Sequence, residues 1–328
     1  MRAFILRSVV GCATSLTLAI SAQAAAYTGL YAFGDSLSDT GNIYALSGGT
    51  TPLPPYYQGQ YSNGNVWLQS FASNLGLAPL TPSLTGGTDY AYGGAQSGTT
   101  PFHTANLTDV VGTTGQLAQF KTAHPVADPG ALYVIWIGGN DLLGIPSNAT
   151  AAQVQALAAS TIGNIDTAVS TLAADGATKF LVMTLPDVGK TPEALAGGPI
   201  AAATASAVAA SFNNLLLGGN AGAGIPSLSA LAAGLGVNLN VFNAYSFLDG
   251  VVANPAAYGL TNVTTPCFNG TTVCANPDQY LFWDSVHPTA AAHVALGNAV
   301  AAAVPEPAQW AMLVAGLALL ALGRRRQH

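Results

Sequence analysis

Four short apolar runs constrain what this chain can fold into. Residues 30–33, 131–137, 180–185 and 237–242 are rich in Leu, Val, Ile and aromatic side chains and are bounded by glycine, proline or asparagine. Runs of that length and composition read as strands rather than helices. Stretches with apolar residues at helical spacing lie between and after them, at 65–75, 115–122, 151–174, 193–217 and 289–303. Asn65 stands where it can cap the first of these, and Asp175-Gly176 where they stop the third. Strands alternating with helices, and apolar throughout, imply an α/β fold whose parallel sheet is covered on both faces. In such a sheet the loops leaving the carboxyl ends of the strands border the ligand crevice. The 328 residues suffice for one large domain or two small ones, and no repeat or internal linker divides them.

Only 7% of the residues are charged. Arg2, Arg7 and Arg324 to Arg326 sit at the extreme ends, so residues 25–304 keep Lys121, Lys179 and Lys190 against thirteen acidic side chains. A body without arginine is poorly suited to neutralising phosphates, and nucleic acid is not an expected partner. The N-terminus reads as a secretory signal over residues 1–24: Arg2 and Arg7, an apolar core from Val9 to Ile20, then Ala22-Gln23-Ala24 as a cleavage site for signal peptidase. Cleavage after Ala26 fits almost as well. Val9-Val10-Gly11-Cys12 also resembles a lipoprotein box, but the apolar segment before Cys12 is short and more follows it.

At the other end, Val304-Pro305-Glu306-Pro307 precedes an apolar segment from Trp310 to Leu322 and the cluster Arg324-Arg325-Arg326. By length this is a marginal membrane-spanning helix, with the arginines holding its end on the cytoplasmic side. A plain tail anchor is one reading. The order of residues 304–328 closely resembles the PEP-CTERM sorting signal of exopolysaccharide-producing Gram-negative bacteria. That resemblance implies removal of the tail by an exosortase, followed by release of the body or its attachment to a surface or exopolysaccharide matrix. Cys12 would leave with the signal, so Cys267 and Cys274, flanking Asn269-Gly270 in an exported chain, read as one small disulfide loop.

Four stretches at strand ends or helix starts carry candidate chemistry. Gly34-Asp35-Ser36-Leu37 follows the first strand and makes Ser36 a candidate nucleophile, which needs a base. A Gly-Asp-Ser turn is also what local hydrogen bonding alone would favour. Asp89-Tyr90-Ala91-Tyr92-Gly93-Gly94-Ala95 holds paired glycines where a backbone could approach a ligand closely. Gly138-Gly139-Asn140-Asp141 leaves the Asn140 amide at the crevice, although Asn140 or Asp141 could simply cap a helix. In Asp284-Ser285-Val286-His287, three-residue separation within a turn lets Asp284 reach one imidazole nitrogen and frees the other for a serine proton. Asp284 could instead cap the last helix. His103, His124, His293 and His328 form no metal-binding spacing and are expected in solvent or surface packing. No metal or other cofactor is called for. Residues 47–65, rich in Pro, Tyr and Gly, read as a long loop that could face the substrate or merely pack.

The joint order of Gly34-Asp35-Ser36-Leu37, Gly93-Gly94, Gly139-Asn140-Asp141 and Asp284-x-x-His287 resembles the GDSL, or SGNH, family of serine esterases and lipases. The extended block through Ser38-Asp39-Thr40-Gly41-Asn42, with Leu185-Pro186-Asp187-Val188-Gly189, is similar to the longer branch that includes plant GDSL lipases and bacterial autotransporter esterases. The resemblance spans residues 31–290. It implies a flavodoxin-like three-layer α/β/α fold over an SGNH hydrolase domain at 25–303. It also implies Ser36 as nucleophile, His287 as base and Asp284 as its orienting carboxylate. The oxyanion hole would come from the Ser36 N–H, the Gly94 N–H and the Asn140 side chain. Asp89 stands where relatives carry Asn, and Gln96 where Thr is common, which leaves open whether Gly93 or Gly94 donates; position in the block favours Gly94.

The expectation is therefore an exported serine esterase or lipase whose substrate is a lipid or acylated carbohydrate ester. Acyl transfer, polysaccharide deacetylation and a non-catalytic exopolysaccharide-associated role are the alternatives. Acyl-chain preference is expected to depend on how 47–65 and 95–114 fold over the site.

Overall fold

A computed structural model gives the structure of the protein and describes residues 27–99, 111–146 and 148–304. The segment read as a secretory signal, the apolar and arginine-rich tail after Val304, His103 and His328 lie outside the described residues. The chain opens with β1 (Leu30–Gly34), α1 (Asn42–Leu46), α2 (Trp67–Asn74), α3 (Thr113–Ala123), β2 (Leu132–Trp136), α4 (Gly139–Leu143) and α5 (Ala151–Ala174). It continues with β3 (Lys179–Met183), α6 (Pro192–Ala196), α7 (Pro199–Gly218), α8 (Leu228–Leu235), β4 (Asn238–Phe242) and α9 (Ala244–Ala253). It closes with β5 (Asn262–Pro266), β6 (Tyr280–Phe282) and α10 (Ala290–Ala303).

Strands β1 to β4 form a parallel sheet in that spatial order. On the outer edge of β1, Ala32 and Gly34 exchange backbone hydrogen bonds with Thr88, Tyr90 and Tyr92. Counting that segment as a second strand in chain order, the sheet reads 2-1-3-4-5, the flavodoxin-like doubly wound order. Side chains alternate across it as the period of a strand demands. Phe33, Tyr133, Ile135, Phe180 and Val182 face a core built with α3, α5, α7 and α8. Leu30, Val134, Trp136, Leu181 and Met183 face the opposite core, built with α2 and α10. The result is the three-layer α/β/α architecture. β4, at the sheet's edge, is covered only in part, with Asn238 and Val241 exposed.

Three local expectations change. Asn65 does not cap α2; Val66 is the cap residue, and the free amides at this terminus are met from elsewhere in the chain. Gln60 Oε1 accepts from Val66 N at 2.8 Å, and His293 Nδ1 accepts from Trp67 N at 3.3 Å. The helix expected over 193–217 is two helices, because Gly198 takes a positive φ of 88° and Pro199 starts a new one. His293 is buried on α10 rather than at the surface, and burial, with the nearby His287 charge, holds its imidazole down to about 3. It is therefore a neutral acceptor, as the hydrogen bond from Trp67 requires.

α7 is long and apolar enough, by length and composition, to cross a membrane. Its Asn213, however, clamps the Leu185 backbone from both sides, accepting from Leu185 N at 2.9 Å and donating to its carbonyl at 2.8 Å. That contact fixes the helix to the chain just past β3.

α10 packs closely on α2 because Gly297 leaves room: a Cβ there would strike Ser70 Oγ and come 3.0 Å from Phe71 N. Gly163, in the middle of α5, has no atom near its missing Cβ. Gly297→Ala should therefore lower unfolding stability by about 1–3 kcal/mol, whereas Gly163→Ala should raise it by roughly 0.5–1 kcal/mol. Denaturant titration of both variants checks the pair.

Candidate active site

The β1 strand ends at Gly34, where a Cβ would collide with the Trp136 carbonyl on β2. Beyond it Asp35 and Ser36 emerge at the carboxyl end of the sheet. The next turn is organised by Asp39, whose Oδ1 accepts from Gly41 N (2.7 Å) and Asn42 N (2.6 Å). Its Oδ2 accepts from Ile43 N (3.2 Å) and, across 54 residues, from Gly93 N (2.8 Å). Asp89 answers from the second block by accepting from Thr40 N and Thr40 Oγ1, both at 2.7 Å. The second and third blocks are joined in the same way. Asp141 accepts from Ser97 N (2.9 Å), Ser97 Oγ (2.7 Å) and Thr161 Oγ1 (3.1 Å), and Asn140 Nδ2 donates to the Ala95 carbonyl at 2.9 Å. Neither Asn140 nor Asp141 caps α4, whose cap residue is Gly138.

The turn after β6 carries Asp284 and His287. Asp284 Oδ1 accepts from Val286 N (2.9 Å) and His287 N (2.8 Å), and its Oδ2 lies 2.7 Å from His287 Nδ1. Thr289, not Asp284, caps α10. His287 Nε2 lies 2.8 Å from Ser36 Oγ across 251 residues of chain. Burial opposes ionisation of Asp284, but the His287 charge and the hydrogen bonds from His287 and Val286 outweigh it and hold this carboxyl well below the usual range. An ionised Asp284 can only accept, so Nδ1 carries the proton and Nε2 accepts from the serine hydroxyl. Burial would lower the His287 pKa; the charge and hydrogen bond of Asp284, helped by Asp35 and Glu193, raise it instead. Burial pushes the Asp35 carboxyl up to about 7, against the Leu37 N–H that it accepts and the His287 charge.

Ser36, Gly94, Asn140 and His287 line one cavity of about 290 Å³. Gly93 N–H is taken by Asp39, whereas the Ser36 and Gly94 amides donate to no protein acceptor among the described residues. Gly94 has φ 78°, a conformation that glycine adopts without strain. Most of the remaining cavity wall is apolar, with Trp136, Leu185, Phe247, Leu248, Leu281 and Val286, beside Asp35 and Thr191. Of the 47–65 loop only Tyr61 lines it, most of 95–114 lies outside the described residues, and the described walls come largely from the chain after β3, α9, β6 and α10. Among the described residues no group of three or more His, Cys, Asp or Glu side chains is arranged to hold a metal ion.

Several residues here lie beyond sequence reasoning. Tyr56 Oη donates to Asp284 Oδ2 at 2.7 Å, and the Tyr61 ring lies 5.2 Å from the His287 ring. A Cβ at Gly93 would run into that Tyr61 ring. The proline- and tyrosine-rich composition of the loop is the one available signal. Cys267 and Cys274 are joined in a disulfide at the start of the turn that leads from β5.

Residues 30–300 match the model of the GDSL-like Lipase/Acylhydrolase family. The chain belongs to this family. Membership makes it a serine hydrolase of ester bonds. Residues 303–327 match the PEP-CTERM protein-sorting motif, which marks proteins for export and sorting. The chain is 27% identical to a phosphatidylcholine-sterol acyltransferase of Aeromonas hydrophila, over 87% of its own length and 93% of the relative's. It is 27% identical to a GDSL esterase/lipase of Arabidopsis thaliana, over 82% and 85%. It is 28% identical to Esterase EstA of Pseudomonas aeruginosa, over 84% of this chain but 46% of that protein, so it spans about half the length of the latter.

The Asp39 carboxylate admits no amide substitute, because each of its oxygens accepts from two backbone N–H groups. Either orientation of a carboxamide in its place would set an NH₂ against two donors. Asp39→Asn should lower unfolding stability by roughly 3 kcal/mol, measured by denaturant titration, and ester hydrolysis should fall with the loosened Gly93-Gly94 turn.

Proposed function

We propose that this GDSL hydrolase is an exported esterase or lipase that works through an acyl-enzyme on Ser36. The observation that carries the reading is the continuous line Asp284 Oδ2, His287 Nδ1, His287 Nε2, Ser36 Oγ, with steps of 2.7 and 2.8 Å. His287 takes the serine proton as Oγ attacks the ester carbonyl, then delivers it to the departing alcohol. Asp284 keeps the imidazole in the useful tautomer and stabilises the imidazolium. The developing oxyanion is received by the Ser36 and Gly94 amides and the second N–H of the Asn140 amide. Water, activated by the same histidine, then releases the acid.

The apolar cavity beside Ser36 supports acyl chains longer than acetyl as substrates. Each buried methylene contributes about 0.8 kcal/mol, so kcat/KM should climb from p-nitrophenyl acetate to medium-chain esters until the cavity is filled. Leu248→Trp, which shortens the cavity, should move the optimum toward acetate. A profile that favours acetate in the unaltered protein would point instead to deacetylation of an acylated carbohydrate. Acyl transfer is a second reading, favoured by the likeness to the Aeromonas acyltransferase over nearly all of that protein. Adding an alcohol acceptor to the assay and measuring the ester formed against the acid released decides it.

The sorting motif supports export and processing of the C-terminal tail, and the N-terminal segment has the pattern of a cleaved signal. Signal peptidase would remove residues 1–24, and an exosortase would cut the tail after transient anchoring, leaving the 25–303 body outside the inner membrane as a secreted, surface or exopolysaccharide-matrix protein. Intact mass from the native host should lack Trp310 to His328.

Ser36→Ala should cut turnover by about 10⁴-fold or more while leaving the unfolding midpoint unchanged; a folded variant with near-normal activity would remove Ser36 from the mechanism. Only neutral His287 can accept the proton. Activity should therefore rise with pH through a midpoint above the ordinary imidazole value of 6.5, since Asp284 lifts this histidine. A kcat/KM profile flat across that range, with chemistry limiting, would overturn the histidine assignment.

A further inference from the structure

We infer that Tyr56 is a positioning residue of the catalytic triad, held in place by the Cys267–Cys274 loop. The inference rests on the Ser36–His287–Asp284 reading and adds a fourth member to it. Tyr56 Oη donates to Asp284 Oδ2 at 2.7 Å, and that same oxygen lies 2.7 Å from His287 Nδ1. The two donors compete for one carboxylate oxygen. A phenol O–H on that oxygen draws charge from it and makes Asp284 a weaker partner for the imidazolium. With the two amides on Oδ1, the phenol also fixes the plane of the carboxylate, and so the plane of the ring that faces Ser36.

Tyr56 stands on an exposed loop, so something must hold it there. Its ring meets Phe268 edge-on at 5.8 Å and Trp283 at 6.2 Å, while Phe268 stacks on Trp283 at 5.6 Å. Phe268 lies inside the ring that the disulfide closes. The backbone there is tied to the catalytic turn: Cys267 N donates to the Phe282 carbonyl (3.0 Å), Phe268 N to that of Trp283 (2.6 Å), and Cys274 N to that of Cys267 (2.7 Å). The disulfide thus braces an aromatic seat whose occupant touches the triad acid. Opening the ring leaves Phe268 held only by its backbone bonds and its stacking on Trp283, and so loosens the seat of Tyr56 without removing any group that contacts His287.

The groups that face His287 besides Asp284 are Asp35 from the turn after β1, Glu193 of α6, the Tyr61 ring and His293 on α10. Of these only the Tyr61 ring meets Tyr56, at 6.2 Å, and Tyr56→Phe keeps that ring contact, so a displaced pH profile in this variant reports on Asp284.

The test compares kcat/KM against pH for Tyr56→Phe, for Cys267→Ser with Cys274→Ser, and for all three changes together, using a p-nitrophenyl ester and the full chain. Ser36→Ala serves as the control for the parent reading. Tyr56→Phe should move the acidic limb up by about 0.5–1 pH unit and lower kcat several-fold with KM little changed. The cysteine double variant should move the same limb in the same direction, and the triple variant should be no worse than Tyr56→Phe alone. A folded Tyr56→Phe protein with an unmoved limb and unchanged kcat overturns the inference, even where Ser36→Ala is inactive. Losses that add fully in the triple variant sever the disulfide from Tyr56 and overturn the bracing role. Should Ser36→Ala remain active, the triad reading itself falls, and the two failures are told apart.

Discussion

Three buried carboxylates that accept backbone N–H groups hold this site together. Asp39 reaches from the first strand-end turn to Gly93, Asp89 reaches back to Thr40, and Asp141 reaches from the third turn to Ser97. A turn that leaves a sheet has few ladder partners, and its amides must find acceptors or lose their hydration uncompensated. A carboxylate with two oxygens satisfies several such amides at once, and here one in each of the first three blocks does so across loops. The Gly93 amide is consumed in this way, whereas the neighbouring Gly94, which lines the cavity, donates to no protein acceptor among the described residues. The charge-poor composition of the body is compatible with this arrangement, because three of the few acidic groups it keeps are buried as acceptors of backbone N–H groups.

The other half of the site is mounted on α10 and its approach. Ser62 Oγ donates to the Pro288 carbonyl, Asn63 Oδ1 accepts from Ala290 N, and Thr289 joins Leu281 and Tyr280. The helix itself is pressed against α2 at Gly297, and His293 completes the hydrogen bonding of the α2 terminus. The imidazole that meets Ser36 therefore inherits its position from a helix pair on the far face of the sheet. A change at Gly297 bears on this helix pair, and one at His293 removes the acceptor of the Trp67 amide as well as a neighbour of His287.

Legibility in the sequence follows locality. Ser36 sits one turn past an apolar strand, and Asp284 and His287 share a turn, so short motifs and strand ends suffice to name them. The four sheet strands are readable from their apolar runs because parallel strands are buried on both faces. The break of the fourth helix at Gly198-Pro199 is obscured by alanine on both sides, which continues the helical pattern through the interruption. The cap of α2 escapes sequence reading because its donors are met by Gln60 and His293, and the latter contact spans 226 residues that no local rule can bridge. Tyr56 and Tyr61 belong to the same class. Their loop advertises itself by composition, but which ring meets Asp284 or His287 is decided by tertiary contact alone.

Asp35 shows how finely charge is balanced beside the serine. Its burial pushes the carboxyl up to about 7, and the His287 pKa is raised as well, so the two groups are linked in charge. The Asp35 charge assists the imidazolium that forms when the serine proton moves, and Asp35 contributes in this sense to the raised His287 pKa. The same charge stands one residue from the Ser36 amide, where an oxyanion would develop, and there it opposes the reaction. In a cavity lined mainly by apolar side chains neither effect is screened as it would be in water. The Leu37 amide on Asp35 Oδ1 moderates both by drawing charge away from the carboxylate. A site of this kind gains its base and weakens its oxyanion hole together as pH rises, so the imidazole's partner, Asp284, must carry most of the stabilisation, and its Oδ2, 2.7 Å from His287 Nδ1, is placed to do so.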